Sequence, residues 1–480
     1  MFLIACLLSL HPFSSAEAPA DSLTAAAVPA DSAVVVRSVV LTGNYRTRDR
    51  IILREMEVHA GDTIRVRDLP AKLAWDSRKI SNTNLFVTVD VVAAPHVAIG
   101  EPAAPAVQPI DIEVVMKERW YFFAAPTFDL ADRNFNEWWY DRGRDLSRTI
   151  YGLRASYRNF TGSNDRLALI AEFGFVQRTV LTYSRPYIDK AQRTGLRFDV
   201  LHATNREIPY RSEADKLVYF RSDDLLRRRA FAGATLTRRD GFYFFHLLDA
   251  RYHLNSIADT AARLNPDYFL DGRTRQRYLQ LSYTFRYDRR DNVAYPLRGT
   301  FLNLTANQLG VLPADDLRQT ELIGGLVRFW PLGGRFYASS GIRAKTSWPQ
   351  RQPYFNLRGM GFSSDFVRGY ELYVIDGQHF GLWRNNLRYQ LFNVRKQLSW
   401  LNVRQFNTLP LAAYIGGFAD TGYVRSSVAE RYQSQLANRW LVGTGVSLDI
   451  VTFYNLVAKF SFSVNHRGET GFFFNIAQEL

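Results

Sequence analysis

From Trp120 to the C-terminus the hydrophobic positions recur at every second residue. In Tyr278–Asp288, Leu279, Leu281, Tyr283, Phe285 and Tyr287 fall on one side and Gln280, Ser282, Thr284, Arg286 and Asp288 on the other. Ala458, Phe460, Phe462 and Val464 alternate in the same way with Lys459, Ser461, Ser463 and Asn465, and 167–175 and 151–157 repeat the pattern. A period of two is the mark of a β-strand with one apolar and one polar face. The segments predict strands near 120–129, 149–160, 165–176, 178–186, 194–204, 228–239, 241–254, 276–288, 299–309, 318–330, 334–347, 380–392, 409–420, 438–450, 454–465 and 471–479, sixteen in all. A soluble sandwich also alternates, but it turns its apolar faces toward each other and leaves edges to protect. A chain whose wet face carries this many polar side chains fits an apolar band wrapped around a polar lumen, a transmembrane antiparallel β-barrel. An even strand count returns both ends of the barrel to one side. Short turns such as Thr161-Gly162-Ser163 then sort to that side and longer connections mostly to the other, although 393–409 is long and 176–178 short for their predicted sides.

Ahead of the barrel the periodicity differs. Val34–Leu41 reads as a strand closed by the turn pair Gly43-Asn44. Arg48–Val58 carries Ile51, Ile52 and Met56 at helical spacing and stops at Gly61-Asp62, and Asp68–Ile80 repeats the pattern with Leu69, Leu73 and Ile80. Strands at Phe86–Ala93 and Ile110–Lys117 follow, separated by a Pro/Ala-rich excursion from Pro95 to Pro109. Residues 34–118 thus predict one small α+β domain of order β-α-α-β-β, and residues 119–480 the barrel. A short open sheet of this kind can accept an extended peptide as an added strand; a spacer that binds nothing is the plainer alternative. Residues 17–33, rich in Ala, Pro, Asp and Ser, read as a flexible tether. The apolar stretch Met1–Leu10, with Ser14-Ser15-Ala16 after it, reads as a signal peptide over 1–16.

Composition sharpens this picture. Aromatic residues make up 14% of the 480 residues, with 34 Phe, 25 Tyr and 9 Trp, yet no window after the first ten residues offers the roughly 18 consecutive apolar residues of a spanning helix. A membrane-crossing chain without such helices must cross with closed strands, because backbone amides facing lipid cannot stay unpaired. Cys6 is the only cysteine and lies in the signal stretch, so the mature chain is expected to have neither disulfides nor a thiolate metal site. The formal charge of +14 is spread along the strands rather than gathered in a stripe or tail. It therefore points to a polar lumen and anionic lipid headgroups, not to nucleic acid. The eight histidines show no metal-ligand spacing, and no Gly-rich phosphate loop precedes a helix. No cofactor, metal or enzymatic activity is expected. A Ser/His hydrolase would have to recruit His246 or His253 beside lumen serines, and both are read as structural or rim residues.

Several residues carry a resemblance. Gly43-Asn44, Gly61-Asp62, Asn84-Leu85-Phe86 with Val89, and the closing Lys117-Glu118-Arg119-Trp120 are similar to one polypeptide-transport-associated (POTRA) repeat. Phe366-Val367-Arg368-Gly369-Tyr370 lies in the long connection between the eleventh and twelfth predicted strands. Asp288-Arg289-Arg290-Asp291-Asn292 with Pro296 and Gly299-Thr300 forms a turn motif, and Phe418-Ala419-Asp420-Thr421-Gly422 a strand motif. Together they resemble the BamA/TamA/Sam-type outer-membrane assembly barrels, the bacterial surface antigens. The resemblance implies that Val367, Arg368, Gly369 and Tyr370 sit on the sixth outer loop, folded back into the lumen. A guanidinium held inside a barrel needs a carboxylate to take its two-pronged hydrogen bonds, and Asp420 is the expected partner of Arg368, with Asp449 the second candidate. Where many members carry a glutamate in the twelfth strand this chain has Asn386. Phe472, Phe474, Ile476 and Leu480 share one face of the last strand, with Leu480 where barrel sorting signals usually end in an aromatic.

The resemblance implies an outer-membrane factor that inserts other β-barrel proteins, docking them at the POTRA domain in the periplasm and opening a lateral seam between its first and last strands. Unfolded outer-membrane or secreted polypeptides, lipid, and accessory periplasmic or lipoprotein subunits are the partners it implies. A two-partner secretion pore that passes a polypeptide outward and a passive channel are the competing readings.

Overall fold

The computed structural model describes residues 32–95, 108–131, 138–139, 143–189, 191–397, 408–452 and 456–477. The expected signal peptide, nearly all of the tether, most of the 95–109 excursion, Cys6 and Leu480 lie outside the described residues, as does the side chain of Ile476.

The N-terminal domain runs β1 (Ala33–Thr42), α1 (Asp49–Leu53), β2 (Thr63–Arg65), α2 (Leu69–Ser81), β3 (Phe86–Pro95) and β4 (Gln108–Glu118). Its sheet has the order β2-β1-β4-β3, with β1 and β4 parallel and the other pairs antiparallel. Val34, Val36, Ile112 and Val114 from the sheet pack on Ile51, Ile52, Leu73 and Ile80 from the helices, which is why those positions recur at periods of two and near four. Two details differ from the sequence expectation. The first helix spans only Asp49–Leu53, because the backbone N–H groups of Glu57 and Val58 turn away to donate to the buried carboxylate of Asp76 at 2.7 and 3.1 Å. Thr63–Arg65 then forms a strand where none was expected, too short to show a periodicity.

The barrel strands are β5 (Phe122–Leu130), β6 (Thr149–Arg158), β7 (Arg166–Gly174), β8 (Val176–Arg185) and β9 (Thr194–Asn205). After a separate hairpin, β10 (Glu207–Glu213) and β11 (Lys216–Arg221), the wall continues with β12 (Arg227–Asp240), β13 (Phe244–Ile257), β14 (Arg275–Asp288), β15 (Gly299–Leu309) and β16 (Gln319–Gly333). It ends with β17 (Phe336–Trp348), β18 (His379–Gln397), β19 (Thr408–Arg425), β20 (Trp440–Thr452), β21 (Leu456–Asn465) and β22 (Thr470–Ala477). These sixteen wall strands form one antiparallel meander in chain order, and each expected segment is one of them. Leu236, Leu248, Leu281, Tyr283, Leu304, Ile342 and Phe462 are exposed on the outer face, while Glu172, Asp199, Asp249 and Asp420 line the inner one. Near the wall's two ends aromatic pairs such as Phe336–Tyr389 (4.9 Å between centroids), Phe244–Tyr287 (5.0 Å) and Tyr423–Trp440 (5.4 Å) form girdles of the kind that sit at lipid interfaces. Every neighbouring pair of wall strands is laddered, but among the described residues no ladder joins β5 to β22. The sheet therefore has a seam.

One end of the barrel meets the N-terminal domain. Glu55, just beyond α1, forms a buried ion pair with Arg239 of β12 (2.6 and 3.0 Å) and accepts the Tyr187 hydroxyl at 3.1 Å. Thr47 bonds Asn159 at 2.9 Å, and Asn82 reaches the Asp291 carbonyl at 3.4 Å. The opposite end is capped by the β10–β11 hairpin, helix α3 (Asp259–Leu264) and the connections 349–378 and 426–439. Ile208, Leu226, Ala261, Tyr268, Phe269, Tyr354 and Tyr432 form a common apolar core there. The hairpin was not expected; its first strand offers only Ile208 and Tyr210 as alternating apolar residues, too few to show a period, with Pro209 between them.

Candidate functional site

The connection 349–378 folds back against the inner wall of β18–β21, and its tip is Val367-Arg368-Gly369-Tyr370. The Arg368 guanidinium grips Asp420 of β19 with two prongs, Nε to Oδ2 at 2.7 Å and Nη2 to Oδ1 at 2.5 Å, and the Arg368 backbone N–H adds a third bond to Oδ2 at 3.2 Å. Nη1 donates to the Asn386 side-chain oxygen at 2.7 Å, and the cation lies 3.8 Å from the Phe418 ring centre. Asn386 thus takes the place on β18 where a second carboxylate was in question, as a neutral acceptor. The Asp420 side chain is fully enclosed. A charge so placed is tolerated only because the fork geometry and the extra donor satisfy its lone pairs.

Glycines on the wall make room for the tip. A Cβ on Gly443 would lie 1.7 Å from the Arg368 carbonyl oxygen, and one on Gly422 would lie 2.7 Å from Val367 Cγ2 and 2.9 Å from Met360 Cε. Gly369 has φ +96°, a left-handed conformation that lets the chain reverse beside Asn465. Its N–H donates to Glu371 at 2.6 Å and its carbonyl accepts from Asn465 Nδ2 at 2.9 Å. The Tyr370 hydroxyl pairs with His466, and Tyr373 donates to Glu469 at 2.9 Å. The tip is therefore hydrogen-bonded to β18, β19, β21 and the hairpin after β21, and packed against β20. Gly443, Asn465, His466 and Glu469 were not singled out from sequence; the one available signal was a glycine inside a strand, which often marks a close backbone approach.

Asp449 is not a partner of Arg368. Its carboxylate accepts the Tyr295 hydroxyl at 2.7 Å and faces Arg388 at 3.7 Å, which ties β20 to the turn between β14 and β15. That turn is self-organised. Arg290 clasps Asp288 at 2.8 and 2.6 Å, and Asp291 Oδ1 accepts the backbone N–H groups of Leu297 and Arg298 at 3.0 and 3.1 Å. Pro296 sits where no N–H is needed. Gly299 (φ +108°) passes so close to Arg289 that a Cβ would lie 1.9 Å from its carbonyl oxygen.

In the N-terminal domain Glu118 accepts the backbone N–H of Thr47 at 2.7 Å and the Thr47 hydroxyl at 2.5 Å, shaping the loop that docks on the barrel. Gly43 (φ +94°) passes under Met116, Gly61 (φ +95°) donates to the Val36 carbonyl at 2.7 Å, and Phe86 is buried in the core. On β22, Phe472 and Phe474 are exposed on the outer face, the latter stacked on Phe460 at 4.8 Å. His246 points outward to the Tyr283 hydroxyl at 2.8 Å, away from the lumen serines, and His253 stacks on Tyr278 at 4.8 Å on the inner face.

The clasp at Arg368, the sixteen-strand wall and the single leading domain can be set beside known proteins. Residues 159–386 match the Omp85 superfamily domain. Among solved structures, BamA from Haemophilus ducreyi lacking POTRA domains 1–3 aligns over 92% of this chain and 84% of that one, at 14% identity and a TM-score of 0.51. CdiB from Escherichia coli aligns over 92% and 76%, at 11% identity and a TM-score of 0.54. No curated protein sequence matches the chain. The chain is thus a β-barrel with a leading domain that carries a match to the Omp85 superfamily domain from β7 into β18 and shares the fold of those two barrels along the whole wall.

Proposed function

We propose that the protein inserts other β-barrel polypeptides into the outer membrane, using binding energy alone, with no cofactor and no covalent step. The observation that carries this reading is the seam, where β5 and β22 each ladder on one side only among the described residues. A strand with an unpaired row of N–H and C=O groups templates another strand. The N-terminal domain, read as a POTRA unit in the periplasm, offers a second edge at β3, which among the described residues ladders only with β4. An extended substrate segment would add there first and then at the seam. The Arg368 clasp keeps the long loop against β18–β21, the wall segment adjoining the seam, so that the seam strand β22 has a rigid neighbour.

Depletion of the protein followed by a census of outer-membrane proteins tests the reading. The expected result is a fall in several unrelated barrels, and the same fall on complementation with Arg368→Ala exported at normal level. Retention of one secreted polypeptide in the periplasm with the other barrels unchanged would make it a two-partner secretion pore. Single-channel conductance indifferent to deletion of 34–117, with normal barrels, would make it a passive channel.

A further inference from the structure

On the wall opposite the Arg368 clasp a transverse row of inner-face residues crosses five strands in register: Arg178 on β8, Ala203 on β9, Arg229 on β12, Asn255 on β13 and Gln276 on β14. Cross-strand partners share a face, and Ala203, Asn255 and Gln276 are all buried. Arg178 is neutralised by Glu172, at 2.8 and 2.9 Å. Arg229 is not. Its Nε is a buried donor without an acceptor among the described residues, and Asn255 lies beside it in register. Two residues along, Arg227 donates, among the described residues, to neutral groups alone, the Asn205 side-chain oxygen (3.2 Å) and the Tyr268 hydroxyl (3.1 Å).

The long loop covers this row from inside. Gln276 holds Asn356 at 3.0 Å, and Arg358 donates its Nε to the Phe355 carbonyl at 3.1 Å while stacking on Phe362 at 4.4 Å. Arg227, whose guanidinium lies 5.9 Å from the Phe355 ring centre, and Arg358, bonded to the Phe355 carbonyl, meet at that residue, and both act on Arg229. Asp376 faces Arg358 but forms no ion pair with it among the described residues. The three guanidiniums, two on the wall and one on the loop, repel one another; Arg227 and Arg358 donate to neutral groups, and repulsion is strongest where burial reduces screening.

We propose that this row is an oxyanion site, and that a phosphate-like dianion held by Arg227, Arg229 and Arg358, with Asn255 Nδ2 as a further donor, staples the loop to β12 and β13. A guanidinium's planar fork matches a tetrahedral oxyanion, and a site ringed by three cations favours a dianion over chloride or a single carboxylate. The site lies away from Asp420 and the seam, so it stands whether or not the protein inserts other barrels.

The test is a calorimetric titration of the full chain in detergent with inorganic phosphate, against chloride at equal ionic strength. One saturable phosphate per chain is expected, weakened at least about tenfold in Arg229→Gln and in Arg358→Gln. Arg211→Gln, exposed on the hairpin and paired with Glu213, should bind as the wild type does. Arg358 is on a loop, so its variant decides the matter if Arg229→Gln fails to fold. Trypsin should also cut the 349–378 loop more slowly in phosphate than in chloride, a difference that both cluster variants abolish. Absence of saturable binding by the wild type, or undiminished binding by Arg358→Gln, overturns the proposal.

Discussion

At the scale of single residues the strongest dependence is of Asp420 on Arg368. Replacing Arg368 by Ala leaves a carboxylate enclosed by protein with its fork partner gone, facing the backbone N–H at 368 and, among the charged groups of the described residues, Arg384 at 3.8 Å. Removing one member of a buried pair typically costs about 3–5 kcal/mol, more than a loop can spare, so Arg368→Ala should release residues 349–378 from the wall. Proteolysis of that loop in the purified barrel checks this. Asn386→Ala removes a single bond from a charged donor to a neutral acceptor, worth about 1.5–3 kcal/mol, and should loosen the loop less than Arg368→Ala does. Gly443→Ala is the steric counterpart, since a methyl placed 1.7 Å from the Arg368 carbonyl oxygen must push the tip away without touching the ion pair. Protection of the loop in Gly443→Ala equal to wild type would refute that. The Arg368–Asp420 contact could be anticipated from sequence because a buried fork needs a carboxylate and the motif supplied one. Asp449, the second candidate on that ground, is not a partner, for its register on β20 sets it level with Tyr414 and Lys459, toward the end with the Tyr295 turn. Sequence alternation fixes which face a residue takes but not its height along the barrel.

Among elements, the join between the N-terminal domain and the barrel rests on Glu55 and Arg239, both nearly enclosed. Glu55→Gln should free the domain from the turns it touches while leaving its own core folded, because Ile51, Ile52, Leu73 and Ile80 are unaffected. Spin labels on β3 and on the turn after β12 would report a broadened distance distribution; an unchanged distribution would assign the docking to the Thr47 and Asn82 contacts instead. Inside the domain, burial holds the Asp76 carboxyl above its ordinary value of 3.8 despite the two N–H groups it accepts. A folded value raised above the unfolded one contributes stability that is full below the unfolded value and lost as pH rises through the folded one. The wild type should therefore gain on Asp76→Asn as the pH falls from roughly 7 toward 4, read as the difference in urea midpoint of the N-terminal transition. The same carboxylate explains why the first helix was read too long. Helical spacing of Ile51, Ile52 and Met56 reports burial, and Met56 is buried after the helix has ended, in a turn that Asp76 organises from a distance no local pattern encodes.

For the whole molecule, sixteen strands were legible because each must satisfy lipid on one side and water on the other, so the alternation is enforced at every position. The caps were not, since the hairpin and α3 pack against other loops and have no such constraint. What no pattern in the strands reveals is where the wall is weakest, and the ladder order does. Strand β13 is paired along nearly its full length on both sides and β14 is also laddered on both, whereas among the described residues β5 and β22 are paired on one side and are among the shortest in the wall. Opening free energy follows local pairing, from near zero at frayed edges up to the global value in central strands. Amide hydrogen exchange on the reconstituted barrel should therefore show β5 and the free side of β22 exchanging orders of magnitude faster than β13 and β14, with β21 between them. Adding a peptide that mimics a terminal barrel strand should slow β5 and β22 more than the other wall strands, because among the described wall residues these two strands have a side without a ladder. Equal protection around the whole wall would mean that the seam is closed in the membrane, and the templating step would then have to begin elsewhere.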